Sequence, residues 1–242
     1  MDFYLISIIA FLALFAIVIL KDRKNLELNG IILMKKKKKG RKLINNIANI
    51  SPRTWKTIGT IGVVVGFGAM GFGAYFLIDS LIYNLTSPIP TQTLSLVIPF
   101  PSQEATIGYG YIGVPFWYFV IGILTLVFVH EGMHGILARA EKIKIKNLGL
   151  LLFIVIPGAF VEPDEKQLKN ANWKTQMRIY AGGSFSNFIL AGLVFVIMTM
   201  AIQPIFMSTA VGYLGYVNST EYGVEAFPAE AANMTNYILE IN

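Results

Sequence analysis

PFWYFVIGILTLVFVHEGMHGILA (115–138) is an apolar run long enough to cross a bilayer, and it holds both histidines of the 242-residue chain. A spanning helix needs about 20 apolar residues. Near the end of the run, His130, Glu131 and His134 form a His-Glu-x-x-His motif. Residues i and i+4 share a helix face, so the two imidazoles can converge on one metal ion. Glu131 follows His130 directly and is placed to reach a water on that metal as general base. Zinc suits the pair best, because it takes neutral imidazole ligands and lowers the pKa of its water to ~7. The bland alternative is a chance pentapeptide on a buried helix. Ionisable groups are costly inside an apolar span and are functional by default, which favours the metal.

Composition agrees with a membrane class. The chain is 55% hydrophobic with mean hydropathy +0.59, above an ordinary soluble domain. It has no cysteine, so disulfides and thiolate metal sites are excluded. Two histidines cannot build a histidine-rich di-iron site. No basic residue precedes the apolar run that begins at Phe3, and no small-residue cleavage site follows it, so no cleavable signal is evident.

Four segments are expected to span: Phe3 to Leu20, Thr57 to Ile78, Pro115 to Ala138, and Ile179 to about Phe206. Charge sets their direction. All 20 Lys and Arg fall in two loops, twelve in Lys21 to Lys56 and eight in Arg139 to Arg178. The N-terminus, the Asp79 to Val114 loop and the tail after Phe206 carry only acids, among them Asp2, Asp79, Glu104 and Glu221. The positive-inside rule makes both basic loops cytoplasmic and puts the N-terminus and tail outside. His130 lies nine residues before Arg139, about 13 Å from the basic helix end at 1.5 Å per residue. Hydrolysis at that depth requires a water path from the cytoplasmic side.

Asn147 to Val161, NLGLLLFIVIPGAFV, is apolar but only 15 residues long and broken by Pro157-Gly158. That is too short to span, and both ends connect to cytoplasmic charge. A re-entrant hairpin is the expected solution, since irregular backbone is tolerated at depth against protein or a wet cavity. Leu150 to Ile156 is expected to form a strand with an open edge, where Leu150, Leu151, Leu152, Phe153 and Ile154 would bind an extended peptide by strand addition. The alternative is a buried loop with no substrate role.

Three stretches carry a resemblance to a known family: VHEGMHGILAR (129–139), GLLLFIVIPGAFVEP (149–163) and RIYAGGSFSNFILAG (178–192). They are similar to the site-2 protease family of intramembrane zinc metalloproteases (peptidase M50), in its archaeal and eukaryotic-like branch. Gly183 to Asn187 matches that family's Gly-x-x-x-Asn pattern. The resemblance implies His130 and His134 as zinc ligands, Glu131 as the base, and Asn187 near the scissile peptide as a hydrogen-bond donor. Read without the family, Asn187 fits a helix-packing role equally well. Ala226 to Ala232 and Tyr237 to Asn242 resemble the start of a PDZ module. The family's third ligand is an Asp beyond that module, in a motif absent from these residues. The chain is therefore expected to be the N-terminal part of a longer enzyme, inactive alone, with Glu162, Asp164 and Glu165 as the remaining carboxylates to consider.

The expected fold is an α-helical integral membrane protein with four transmembrane helices, a re-entrant β-like hairpin and the start of an extracytoplasmic PDZ-like domain. Its segments are 1–56 (first helix and basic loop), 57–114 (second helix and outer loop), 115–207 (zinc-protease core) and 208–242 (partial PDZ-like domain). The expected activity is zinc-dependent cleavage of transmembrane segments of other proteins. A non-catalytic pseudoprotease that binds such segments is the alternative, and Glu131-dependent cleavage separates the two. Gly66 to Gly71 formally matches a dinucleotide fingerprint, but it lies inside a span with no βαβ unit around it. Gly62 with Gly66, and Ala69 with Gly73, have the small-x-x-x-small spacing of close helix packing. Lys35 to Lys39, Arg41 and Lys42 are expected to anchor to anionic lipid at ~1 kcal/mol per residue, not to nucleic acid.

Overall fold

No charge interrupts residues 57–78, and a helix forms there that outruns its apolar stretch. The computed structural model describes residues 3–20, 26–29, 32–37, 40–87, 93–153 and 156–204. Helix α1 is Phe3–Leu20, α2 is Arg41–Ile50 and α3 is Pro52–Thr86. Proline at the first turn starts α3 without losing a needed N–H. Its 35 residues extend about 52 Å at 1.5 Å per residue, well beyond a hydrocarbon core of about 30 Å. It passes Asp79 and ends where Asn84 and Thr86 turn their side chains back onto the carbonyls of Ser80 and Ile82. Helix α4 is Phe116–Ala140, α5 is Glu165–Lys169, and α6 is Trp173–Ile197, which continues as a π-helical turn Met198–Ile202.

Among the described residues, three helices are long and apolar enough to cross a membrane: Pro52–Thr86, Phe116–Ala140 and Trp173–Ile202. Phe67, Phe72 and Leu81 on α3 and Phe128 on α4 are each more than half exposed. Apolar surface on that scale suits lipid as the surrounding solvent. The first of the four expected spans, α1, forms a shorter apolar helix.

Among the described residues, two sheets accompany the helices. Strands β1 (Leu26–Asn29), β2 (Ile32–Lys37), β6 (Ile145–Phe153) and β7 (Ile156–Pro163) form an antiparallel sheet in the order β1-β2-β6-β7. Strands β3 (Leu96–Phe100), β4 (Thr106–Gly108) and β5 (Tyr111–Pro115) form a second sheet in the order β3-β5-β4. Neither β1–β2 nor the second sheet was expected from the sequence. The β6–β7 hairpin lies where a hairpin was expected, but its open edge does not. Strand β6 has β2 on one side and β7 on the other, so Leu150 to Phe153 have no free main-chain edge. The edge of this sheet nearest α4 is β7. Ile154 lies outside the described residues, as do Ala226 to Asn242, where the PDZ resemblance falls.

The chain divides into two compact units, residues 1–190 and 191–242. In the second, the described residues are the last turns of α6 and its π-helical end. In the first, Leu137, Ala138, Ile143 and Ile179 form a buried cluster with Trp55, Met133 and Leu168 around it. Glycines let the helices approach. A Cβ on Gly59 would press on Arg178 and Leu137, and one on Gly62 would meet the Phe185 ring at 3.0 Å. Gly66 reaches Ala181 at ordinary contact distance, whereas a Cβ on Gly73 would meet nothing within 4 Å. Close packing therefore uses the first half of the glycine series and not the second.

Glu141, just past the end of α4, ties three helices together. Its side chain is 6% exposed and accepts from Arg178 Nη1 at 2.8 Å. It also pairs with Lys56 Nζ at 3.2 Å and accepts from Thr175 Oγ1 at 3.1 Å. Burial alone would raise its pKa. The hydrogen bonds from Arg178 and Lys56 outweigh that and hold the carboxyl below its ordinary value. The stabilisation is therefore complete above the ordinary glutamate pKa of ~4.3 and is lost as pH falls through the lower folded value. Removing one partner of a buried pair costs about 3–5 kcal/mol. Glu141→Gln is expected to lower the thermal midpoint in detergent at pH 7, with the gap to wild type narrowing below pH ~4. A gap independent of pH would show that the carboxylate charge is not what binds these helices.

Candidate metal centre

The last half of α4 carries His130, Glu131 and His134 on adjoining turns. One potential ligand atom from each lies within 4.8 Å of the others, and among the described residues this is the metal-binding grouping that forms. The imidazole centroids are 4.8 Å apart and steeply inclined. His134 Nδ1 is 2.6 Å from the carbonyl oxygen of Ile179 on α6. A carbonyl only accepts, so Nδ1 carries the proton and Nε2 is left with its lone pair. His130 Nδ1 lies 3.2 Å from the Asn187 side-chain amide. Asn187 Oδ1 is buried without a partner when Nδ2 faces the ring. The two amide orientations are nearly isosteric. With Oδ1 toward the ring, His130 Nδ1–H donates to it, and Nε2 is again the free ligand atom. Outer-shell bonds of this kind fix the tautomer and aim of metal-binding histidines.

Gly183 explains how α6 comes so close. A Cβ built there would run into Nε2 of His134 and lie 2.5 Å from Nε2 of His130. Both lone pairs converge on the place that any other residue would fill with its side chain. That cradle, bounded by two imidazole Nε2 atoms, fits a borderline-soft divalent ion such as zinc. Gly182 does the same for packing, since a Cβ there would strike Leu137. Ser186, one turn on, donates to the carbonyls of Gly183 (2.7 Å) and Val129 (3.3 Å) and is buried.

Glu131 faces the sheet. Its Oε2 accepts from the backbone N–H of Val161 on β7 at 2.9 Å. That N–H therefore points away from β6, and by the strand's period of two so does that of Ala159. Pro157 and Pro163 share this outward parity and have no N–H to offer. Proline is tolerated at such edge positions and blunts the edge against unwanted pairing. Ala159 is then the outward donor beside Glu131 that neither a proline nor the Glu131 carboxylate removes.

The other residues singled out from sequence lie elsewhere. Glu162 accepts from Asn147 Nδ2 and pairs with Lys36 at 3.5 Å. Asp164 caps α5 by accepting from the Gln167 N–H and sits 3.8 Å from Lys146. Glu165 is an exposed partner of Lys169. None of the three joins the histidines among the described residues. Leu150 to Phe153 lie in the interior strand β6. Sequence reasoning missed the Ile179 carbonyl, the Val161 amide and the reason for Gly183. The Gly182-Gly183 pair was the visible signal for the last of these.

The sequence profile of Peptidase family M50 matches residues 118–240, half of the chain and all of the centre just described. The chain belongs to peptidase family M50. This M50 chain is therefore a member of a membrane metalloprotease family. It is also 30% identical over 192 residues to the uncharacterized protein MJ0971 of Methanocaldococcus jannaschii, covering 77% of this chain and 47% of that one. The M50 chain thus spans about half the length of that curated relative. No solved structure matches it.

The contact of Asn187 with His130 has a testable consequence of its own. Holding His130 implies that Asn187→Ala lowers zinc affinity by about 10- to 100-fold. Asn187→Asp, which keeps an acceptor for Nδ1–H, should restore most of it. An amide that served only the scissile carbonyl would leave zinc affinity unchanged and lower kcat. Zinc titration of the purified variants decides between them.

Proposed function

We propose that this chain carries the catalytic centre of an intramembrane zinc endopeptidase that cleaves transmembrane segments of other proteins. The observation that carries the reading is the convergence of His130 and His134 Nε2 at Gly183, with the Glu131 carboxylate beside them. Zinc held there would act as a Lewis acid and supply a water with pKa near ~7. Glu131 takes the proton from the attacking water and returns it to the leaving amine nitrogen. Its Oε2 is oriented by Val161, which leaves Oε1 for the proton. Asn187 fixes the His130 ring and, with substrate present, offers its amide to the scissile carbonyl.

The substrate presents an extended backbone, because a folded helix keeps its carbonyls in its own hydrogen bonds. The β7 edge supports strand addition in the register that brings a peptide alongside Glu131, in place of the edge expected on Leu150 to Ile154. In this reading α1 is a fourth span, the basic loops face the cytoplasm, and the β6–β7 hairpin enters the bilayer from that side. The alternative of a non-catalytic binder has in its favour that two imidazoles and Glu131 complete the cluster among the described residues. Ala159→Pro tests the substrate register. It removes the outward N–H while the inward bonds to β6 stay intact. KM for a membrane-embedded substrate is expected to rise roughly tenfold, the worth of about one lost hydrogen bond, with zinc content unchanged. Unaltered kinetics would remove β7 from substrate binding.

A further inference from the structure

The three-stranded sheet before α4 has one filled face and one open face. Paired residues share a face, so the registers put Val97, Ile112 and Ile107 side by side. The opposite face is filled by its own rings. Phe100 and Tyr111 stack there with centroids 6.5 Å apart, over the places where Gly113 and Gly108 lack side chains. The aliphatic face is open: Ile107 is 83% exposed and Val97 is more than half exposed. At the tip of the β4–β5 hairpin, Tyr109 is 88% exposed, beside Gly110 in the left-handed region at φ 81°.

Chain continuity says where this face lies. Strand β5 ends at Pro115 and α4 starts at Phe116, so the sheet joins the helix without a linker. The 25 residues of α4 extend about 37 Å at 1.5 Å per residue, little more than a hydrocarbon core of about 30 Å. The sheet therefore begins at the bilayer boundary, at the end of α4 away from Arg139. Tyr118 and Ile121, one turn apart and both exposed, show lipid-facing surface from the first turns of the helix. Among the described residues, β3 and β4 each keep an unpaired edge, and open edges do not occur in hydrocarbon. The aliphatic face, in turn, is unsuited to bulk water. Strand β4 has three residues and β3 carries Pro99, so neither edge is a good template for a partner strand. No Lys or Arg occurs between Lys56 and Arg139, so an anionic surface is not drawn here by charge. The boundary between acyl chains and headgroups meets all of these conditions, and tyrosine is enriched there.

We propose that the β4–β5 hairpin is a membrane-interface anchor, with Ile107 and Tyr109 inserted just below the headgroups and the open edges lying among them. The partner is the lipid interface itself, met by apolar insertion and not by charge. Because β5 runs into α4, the anchor fixes the depth of His130, 14 residues after Phe116, or about 21 Å along the helix. The proposal does not depend on the protease reading.

The test uses purified full-length protein in phosphatidylcholine nanodiscs, with one fluorophore on a single introduced cysteine and any other thiol replaced. These 242 residues contain no cysteine. Ile107→Cys and Tyr109→Cys probe the tip, and Glu104→Cys is the control on the same loop. All three side chains are exposed, so the fold tolerates the changes. Spin-labelled phosphatidylcholine quenches from within the bilayer, and iodide quenches from water. Lipid quenching at the two tip positions is expected to exceed that at the control several-fold, with iodide giving the reverse order. Adding phosphatidylglycerol should change neither result. Stronger iodide than lipid quenching at the tip would leave the hairpin in water and overturn the proposal. Protection of the tip from both quenchers would show that protein covers this face, from this chain or another, and overturns it. Equal lipid quenching at all three positions would be the fluorophore's own partitioning, and lipid quenching that needs phosphatidylglycerol would trace insertion to charge elsewhere. Either result overturns it too.

Discussion

Glu131→Gln is expected to keep zinc bound while peptide hydrolysis falls by about 10²- to 10⁴-fold, the range over which a general base contributes. The two Nε2 atoms that aim at Gly183 belong to the histidines, and neither depends on residue 131. Glutamine is isosteric and its Oε1 can still accept from the Val161 N–H, so the tie between α4 and β7 survives. What it cannot do is take a proton from water. The change should appear in kcat with little effect on KM, since the lost interaction exists only as the proton moves. Cleavage of a membrane-embedded reporter by reconstituted full-length protein measures it. Activity within threefold of wild type would remove Glu131 from the chemistry and favour a different base.

Gly183→Ala is the second large effect. Alanine favours a helix interior over glycine by about 1 kcal/mol, so on propensity alone α6 should be stabilised. The added methyl, however, falls on the point where both imidazoles converge. Zinc content should drop to that of the His130→Ala/His134→Ala double variant, with helicity retained by circular dichroism. Gly192, whose Cβ would meet nothing within 4 Å, supplies the control. Gly192→Ala should bind zinc as wild type does. Zinc retained in Gly183→Ala would mean that the ion sits elsewhere than between these two rings.

How far the sequence could be read follows from how local each feature is. His130, Glu131 and His134 were legible because one turn of one helix brings them together, and a period of four is written in the chain itself. A hairpin was legible in outline because the apolar run is too short to span, but Pro157-Gly158, expected as its break, lie inside β7 and pair with Leu152 and Leu151. The strand that takes the other edge of β6 was not. Lys35, Lys36 and Lys37 read as a charged face, yet their backbone pairs with Leu150, Gly149 and Leu148. Main-chain pairing leaves no side-chain signature, and a free edge was expected where β2 already lies. The boundaries of α3 were also hidden, because a helix need not stop where the bilayer does and Asp79 is no obstacle within it. Gly183 was visible as one half of a pattern, but its purpose depends on a side chain 49 residues earlier in the chain. The same holds for the Val161 amide, which meets Glu131 only once β7 has docked against α4.

The most direct test is the zinc-to-protein ratio of purified full-length wild type, Glu131→Gln and the His130→Ala/His134→Ala double variant, measured after dialysis against a weak chelator. The expected result is about one zinc per chain in the first two, since one pair of imidazoles holds one ion, and none in the third. Equal zinc in wild type and the double variant would contradict the account at its centre.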